Sequence, residues 1–191
     1  MFINHKLREL NLKVVYWGPA LSGKTTNLEY IHANLDPRLR SELVSLKTQE
    51  DRTLFFDFLQ LELGRIKGLK PKFNLYTVPG QVIYAASRKL VLEGADGVVF
   101  VADSQGDRLQ DNINTLYQLA IYLNGMGREL SGYPMVLQCN KQDLPNVLPP
   151  EEIRRHLRQD GVPCLGSVAV EGEGVFDTLK KIINLVVTRI R

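Results

Sequence analysis

Apolar and polar positions along this chain follow two different spacings, one typical of strands and one typical of helices. Nearly continuous apolar runs predict strands that are buried on both faces. These runs are 12–17, 97–102 and 133–139, with a last short strand within 162–170. Apolar residues that recur every three or four positions predict helices. Such segments lie after the first strand to about 34, up to 92, over 107–124, from 149 onward and over 175–190. Their alternation predicts an α/β fold, with a mostly parallel central sheet and helices on both faces.

One stretch departs from this alternation. The segment from Arg38 to Thr53 is polar and charged, and a long loop is expected there. Leucines then alternate with polar residues over 59–63, which predicts a half-buried strand. A turn leads to its antiparallel partner over 69–78, where Pro71 favours the start of a strand or a sheet edge.

Composition limits the class of protein. The chain has 191 residues, 44% hydrophobic and 24% charged, so one globular domain over residues 1–191 is expected. The net charge of +3 is spread along the chain and does not indicate nucleic-acid binding. Two cysteines without a metal or disulfide pattern favour the cytoplasm. No transmembrane segment and no lipid anchor are expected, since the apolar runs are short, residue 2 is Phe2, and the C-terminal residues lack cysteine.

The first strand leads into a segment with recognisable chemistry, G-x-x-x-x-G-K-T. Its residues are Gly18, Pro19, Ala20, Leu21, Ser22, Gly23, Lys24 and Thr25, and Thr26 follows in the predicted helix. In this motif, the P-loop, backbone N–H groups surround a phosphate chain and the N-terminus of the next helix faces the same charge. Lys24 is expected to reach the outer phosphates and the Thr25 hydroxyl to bind Mg²⁺. The strand before the motif and the helix after it support a nucleotide-phosphate site.

A second motif, N-K-x-D, follows the strand that ends at Cys139, with Asn140, Lys141 and Asp143 as its defined positions. A carboxylate at Asp143 can accept hydrogen bonds from the N1–H and 2-amino group of guanine, whereas adenine lacks the 2-amino donor. Asn140 and Lys141 are expected to brace the loop and flank the base. A polar turn without function is the alternative for this motif alone. Downstream of a P-loop, at the carboxyl end of a strand, it indicates guanine binding.

Together with these two motifs, nearly the whole chain resembles the Ras-like small GTPases, in particular the bacterial gliding-motility and polarity GTPases of the MglA type. The runs that carry the closer match are 16–19, 21–28, 51–58, 75–82, 86–90, 101–104 and 174–180. The resemblance implies a Ras-like P-loop NTPase fold, GTP and GDP as ligands, Mg²⁺ as cofactor and hydrolysis of GTP. It also implies an MglB-type Roadblock-domain GTPase-activating protein, motility or polarity effectors, and a cytoplasmic protein that partners recruit to a cell pole or the inner membrane face.

The resemblance further implies roles for residues in two switch segments. Thr53 corresponds to the threonine that contacts Mg²⁺ and the γ-phosphate, with Thr48 as the nearest rival. Gln81 matches the glutamine that orients the attacking water, and the N–H of Gly80 would sense the γ-phosphate. Arg52 corresponds to an arginine that stabilises the transition state in cis. A turn glutamine and an exposed arginine without function are the alternatives.

Two departures from the family pattern change what is expected of the phosphate site. Thr77 stands where Ras-type proteins carry an aspartate that holds Mg²⁺ through water, and Asp57 on the adjacent strand is a hypothetical replacement. Ala20 stands where the related GTPases usually have a P-loop glycine, so its methyl group is expected to crowd the site and slow intrinsic hydrolysis.

The family's last base-binding element, Ser-Ala-Lys, is reduced in this chain. It reads Val-Ala-Val over 168–170. Only the alanine is kept, so Ala169 and Val170 are expected to contact guanine through backbone groups.

The leading hypothesis is therefore a GTP-dependent molecular switch that is slow alone and stimulated by a partner. A GTP-gated scaffold with negligible turnover is the alternative that Ala20 and Thr77 favour. A P-loop ATPase or small-molecule kinase is a third class, which the N-K-x-D motif disfavours because it selects against adenine.

Overall fold

The computed structural model of the chain describes residues 2–4, 6–47, 53–80 and 85–190. Its strands are β1 (Phe2–Asn4), β2 (Glu9–Trp17), β3 (Val44–Lys47), β4 (Thr53–Glu62), β5 (Lys70–Thr77), β6 (Gly97–Asp103), β7 (Met135–Asn140) and β8 (Cys164–Ser167). Its helices are α1 (Lys24–Asn34), α2 (Ala85–Leu92), α3 (Leu109–Gly125), α4 (Pro150–His156) and α5 (Val175–Val187). The strands form one eight-stranded sheet in the order β3-β4-β5-β2-β6-β7-β8, and β1 pairs with β2.

The centre of the sheet is parallel, as the apolar runs predict. Strands β5, β2, β6, β7 and β8 pair in parallel, whereas β4 pairs antiparallel with β5, and β3 with β4. Every residue of β6 and β7 is buried. Because the parallel strands end at the same edge, the loops that follow β2, β5, β7 and β8 are brought together there.

Two apolar clusters cover the two faces of the sheet. One includes Leu28 and Ile31 of α1 with Val175 and Ile182 of α5. The other is built from α2, α3 and α4, and its buried members include Val91, Leu92, Leu116, Leu119, Leu123 and Ile153. The α/β fold with helices on both faces is therefore confirmed. Within the described ranges, no helix is both long and apolar enough to cross a membrane.

Two features at the edges of the sheet depart from the prediction. The stretch 38–53 is not a continuous loop, because β3 lies within it and pairs with β4. Strand β1 has no counterpart in the prediction, since three residues are too few to show a periodicity. Pro71 lies near the start of β5, which is one of the two placements predicted for it, and β5 is an internal strand between β4 and β2. Proline has no N–H to donate, and at the start of β5 the N–H of Lys70 donates a hydrogen bond to the Arg8 carbonyl oxygen.

Candidate functional site

The P-loop connects β2 to α1 and packs closely against two neighbouring segments. A Cβ atom on Gly18 would lie 2.2 Å from the Val101 carbonyl oxygen, and one on Gly23 would lie 2.1 Å from Asn140 Nδ2. Neither position accepts a side chain without movement of its neighbours. Gly23 also has a φ of +99°, which favours glycine. The two glycines of the motif are therefore required by the packing of the loop against β6 and β7.

Lys24 opens α1 and turns its ammonium group back over the P-loop. Its Nζ donates hydrogen bonds to the carbonyl oxygens of Gly18, at 3.0 Å, and Pro19, at 2.6 Å. Burial, with a smaller contribution from the positive charge of Arg88, lowers the pKa of Lys24 to about 7, and the Asp57 carboxylate acts in the opposite direction. An anion beside this ammonium group would favour its charged form. The surroundings of Lys24 thus suit a phosphate.

A cluster of hydroxyl groups and one carboxylate lies beside the first turn of α1. Asp57 is fully buried, and its Oδ2 accepts hydrogen bonds from Thr25 Oγ1 and Thr77 Oγ1, each at 2.6 Å. Its Oδ1 accepts a hydrogen bond from Ser45 Oγ. The Asp57 N–H donates to Thr77 Oγ1 at 2.9 Å. Asp57 on β4 therefore holds its carboxylate against the Thr25 hydroxyl. Thr77 on the neighbouring strand β5 donates a hydrogen bond that keeps this carboxylate in place.

Asn140 joins three loops at the carboxyl edge of the sheet. Its Nδ2 donates to the Ser22 carbonyl oxygen at 2.9 Å. Its Oδ1 accepts hydrogen bonds from Ser167 Oγ at 3.1 Å and from the Ala169 N–H at 2.9 Å. The expectation that Asn140 braces the loop is confirmed. Since the Ala169 N–H is engaged by Asn140, a guanine contact by Ala169 stays a prediction.

Lys141 and Asp143 of the second motif lie in different surroundings, one paired with a buried carboxylate and one exposed to solvent. Lys141 has a φ of +70°, and its Nζ lies 2.6 Å from Oδ2 of the buried Asp103. This ion pair holds the loop to the end of β6. Asp143 is exposed, and Val170 is 72% exposed across the same edge of the sheet. The exposed carboxylate of Asp143 is therefore accessible to a ligand.

The segment after β5 reaches the P-loop at Ala20. A Cβ atom on Gly80 would lie 2.3 Å from Ala20 Cα and 2.4 Å from Ala20 N. Gly80 is thus in direct backbone contact with the phosphate-binding loop, and its response to a γ-phosphate stays a prediction. Thr53 is the first residue of β4 and pairs with Lys47, but its side chain lies outside the described part of the chain, as do Arg52, Thr48 and Gln81. Thr26 is half-buried in the first turn of α1.

Sequence reasoning missed a buried amide network beneath the P-loop. Asn27 Nδ2 donates to the Gly23 carbonyl oxygen at 2.9 Å, and Asn27 Oδ1 accepts from Gln138 Nε2 at 2.9 Å. Gln138 Nε2 also lies 3.1 Å from Thr178 Oγ1. Asn27, Gln138 and Thr178 are fully buried, and they connect the loop to β7 and α5. The only signal in the sequence is a polar residue at a position where the strand or helix pattern calls for an apolar one.

Comparison with known proteins agrees with this geometry. The sequence profile of the ADP-ribosylation factor family matches residues 1–186. The chain is 53% identical over 190 residues to mutual gliding-motility protein MglA of Myxococcus xanthus, an alignment that covers 100% of this chain and 97% of that protein. It is 28% identical over 188 residues to ADP-ribosylation factor-like protein 4C of Homo sapiens, with 94% and 88% covered. It is 24% identical over 193 residues to ADP-ribosylation factor-like protein 2 of Arabidopsis thaliana, with 97% and 92% covered.

These matches extend over the P-loop, the base-binding loop and the whole central sheet, and they confirm the expectation of a guanine-nucleotide-binding protein. The chain therefore belongs to the ADP-ribosylation factor family, as a Ras-like small GTPase of the MglA type that hydrolyses GTP.

Proposed function

We propose that this protein is a GTP-dependent switch that controls gliding motility or cell polarity in the cytoplasm. The biological role rests on the 53% identity to a protein named for gliding motility. One observation carries the chemistry. Asn140 of the base-binding motif bonds directly to Ser22 of the P-loop, so the groups for a phosphate and for a base belong to one site.

Guanine nucleotide binding is assigned to residues from three loops. The P-loop from Gly18 to Thr25, together with Thr26, holds the phosphates, and Lys24 supplies the positive charge. Asp143 accepts hydrogen bonds from guanine, while Asn140 and Lys141 hold its loop in place. Ala169 and Val170 border the base.

The residues around Thr25 fit Mg²⁺. This ion prefers oxygen ligands, and the Thr25 hydroxyl and the Asp57 carboxylate are already in contact. We assign Thr25 and Thr53 as metal ligands, with Asp57 in place of the aspartate that Thr77 replaces. When bound, Mg²⁺ neutralises charge on the phosphates during their transfer. Thr77 and Ser45 keep the Asp57 carboxylate in position by donating hydrogen bonds to it.

Three residues are proposed to act in hydrolysis. Gln81 orients the attacking water, Arg52 stabilises the charge of the transition state, and Thr53 closes the first switch over the γ-phosphate. The contact between Gly80 and Ala20 supports this proposal, because it places the residue before Gln81 against the phosphate loop.

An MglB-type Roadblock protein is the proposed activator, with motility or polarity effectors downstream and recruitment to a cell pole through partners. GTP turnover of the purified protein, measured with and without such an activator, tests the switch. Slow turnover that the activator increases supports it. Undetectable turnover in both conditions favours the second candidate, a GTP-gated scaffold, for which Ala20 and Thr77 are the residues that argue.

A further inference from the structure

Arg108 connects the start of α3 to the P-loop. It ends a short 3-10 turn, Gly106–Arg108, that leads into α3. Its Nη2 donates a hydrogen bond to the carbonyl oxygen of Ala20 at 3.1 Å, although the two residues are 88 positions apart. Its Nη1 lies 2.5 Å from Asp111 Oδ2, one turn further along. The guanidinium is therefore held by α3 while it contacts the phosphate-binding loop.

The peptide that Arg108 contacts precedes a strained residue. Leu21 has a φ of +63°, in the left-handed region that is unfavourable for residues with a Cβ atom. Its side chain is 65% exposed, so little apolar burial offsets this conformation. A hydrogen bond from a charged donor to the Ala20 carbonyl fixes the orientation of the peptide between Ala20 and Leu21.

This orientation matters for phosphate binding. A loop that binds phosphates through its N–H groups must turn its carbonyl oxygens away from them, because both carry negative charge. Gly80 also packs against Ala20. This contact leaves little room for the peptide between Ala20 and Leu21 to shift. Arg108 thus opposes rotation of a strained peptide in the loop that surrounds the ligand.

The same arginine lies next to the anchor of the base-binding loop. Its Nε is 4.0 Å from Oδ2 of Asp103, the oxygen that also binds Lys141 Nζ at 2.6 Å. Asp103 is buried, so its charge is shared between Lys141 and Arg108. The end of β6 therefore connects the arginine at the phosphate loop to the lysine at the base loop.

We propose that Arg108 is a positioning residue for the P-loop, which holds the Ala20 carbonyl outward, keeps Leu21 in its left-handed conformation and thereby slows release of the nucleotide. This inference rests on the proposed nucleotide site. It assigns to Arg108 no contact with the nucleotide itself.

The test uses Leu21 to separate positioning from general stability. Release of a fluorescent GDP analogue is followed by stopped flow for the wild type, R108Q, L21G and the double variant. Loss of a hydrogen bond from a charged group predicts release about 10-fold faster in R108Q. Glycine adopts the left-handed region without strain, so in the L21G background the same change should accelerate release by no more than about 3-fold.

Two further variants complete the design. R108K keeps the positive charge but replaces the planar guanidinium by a compact ammonium group. Its rate of GDP release should lie between those of the wild type and R108Q. K180Q removes an exposed ion pair with Asp177 on the solvent face of α5 and should release GDP at the wild-type rate. If R108Q proves too unstable to purify, R108K is compared in the two backgrounds instead.

Unchanged release in R108Q would overturn the proposal. So would an equal acceleration in both backgrounds, because a merely structural role of Arg108 does not depend on the residue at position 21. A wild-type protein that fails to bind GDP at all would instead refute the nucleotide site on which the proposal rests.

Discussion

Replacing Asp57 by asparagine tests whether this carboxylate supports Mg²⁺ in place of the missing aspartate at position 77. The side chain keeps its size but loses its charge. The hydroxyl groups of Thr25, Thr77 and Ser45 all donate to Asp57, and an amide nitrogen would face at least one of these donors. The change should therefore weaken both the metal site and the hydroxyl cluster.

The structure sets the size of both effects. A hydrogen bond to a charged group contributes about 1.5–3 kcal/mol, and one between neutral groups about 0.5–1.5 kcal/mol. With three donors, at a difference of about 1–1.5 kcal/mol each, neutralising Asp57 should lower the free energy of unfolding by about 3–4.5 kcal/mol. Loss of a partner that orients a metal ligand typically lowers metal affinity by about 10–100-fold. The Mg²⁺ concentration needed to retain nucleotide should rise by that factor.

The assay measures GDP release over a range of free Mg²⁺ set with a chelator. Thr77→Val is the matched control, because it removes the hydroxyl that donates to the same oxygen and accepts from the Asp57 N–H, and it leaves the carboxylate charge in place. Its Mg²⁺ midpoint should stay within about 3-fold of the wild type. In the double variant D57N/T77D the carboxylate returns to β5, and the midpoint should recover in part. A wild-type midpoint in D57N, or an equal shift in T77V, would refute the reasoning.

Three other predictions follow from the same site. Ala20→Gly should speed single-turnover GTP hydrolysis because it removes the methyl group at the crowded phosphate loop, and equal rates in the two proteins would contradict this. Arg52→Ala should keep nucleotide affinity but lose about 10³-fold or more of the partner-stimulated turnover, and unchanged stimulated turnover would exclude its catalytic role. Lys24, whose pKa is lowered to about 7, should take up about one proton when GDP binds at about pH 8.5 and almost none at about pH 6. Calorimetry in buffers of different ionisation enthalpy measures this uptake, and an uptake near zero at both pH values would contradict it.

The sign of the Lys24 effect on stability follows from the same shift. The folded pKa lies below the ordinary value of 10.5, so between pH 7 and 10.5 the unfolded chain binds more protons than the folded one. Lys24 therefore increases the free energy of unfolding of the nucleotide-free protein as the pH rises from 7 to 10.5. Below pH 7 the penalty for burying the ammonium group is fully present.

Local patterns predicted the central part of the molecule. The runs that became β2, β6 and β7 are continuous because both faces of those strands are covered, and this signal needs no knowledge of distant residues. The two loop motifs lie at the carboxyl ends of strands, so the topology alone brings them to one edge. Asn140 reaches the P-loop for this reason.

What the sequence could not predict depends on distant contacts. Strand β3 forms inside a polar stretch because β4 offers it an edge to pair with, and its own alternation of apolar and polar residues spans only four positions, too few to stand out. The bond from Arg108 to Ala20 depends on where a short 3-10 turn places one guanidinium. Asp57 could be named as a hypothetical replacement because it lies on the strand adjacent to Thr77, but its three hydroxyl partners come from separate segments and could not be foreseen. The roles of Arg52 and Gln81 stay predictions, since both residues lie outside the described ranges.

Titration calorimetry of the purified protein with GDP and with ADP, at equal Mg²⁺, tests the central claim most directly. The hydrogen-bonding requirement at Asp143 predicts tight binding of GDP and binding of ADP that is weaker by about 10³-fold or more. Equal affinity for the two nucleotides, or no heat of binding with GDP, would contradict the account.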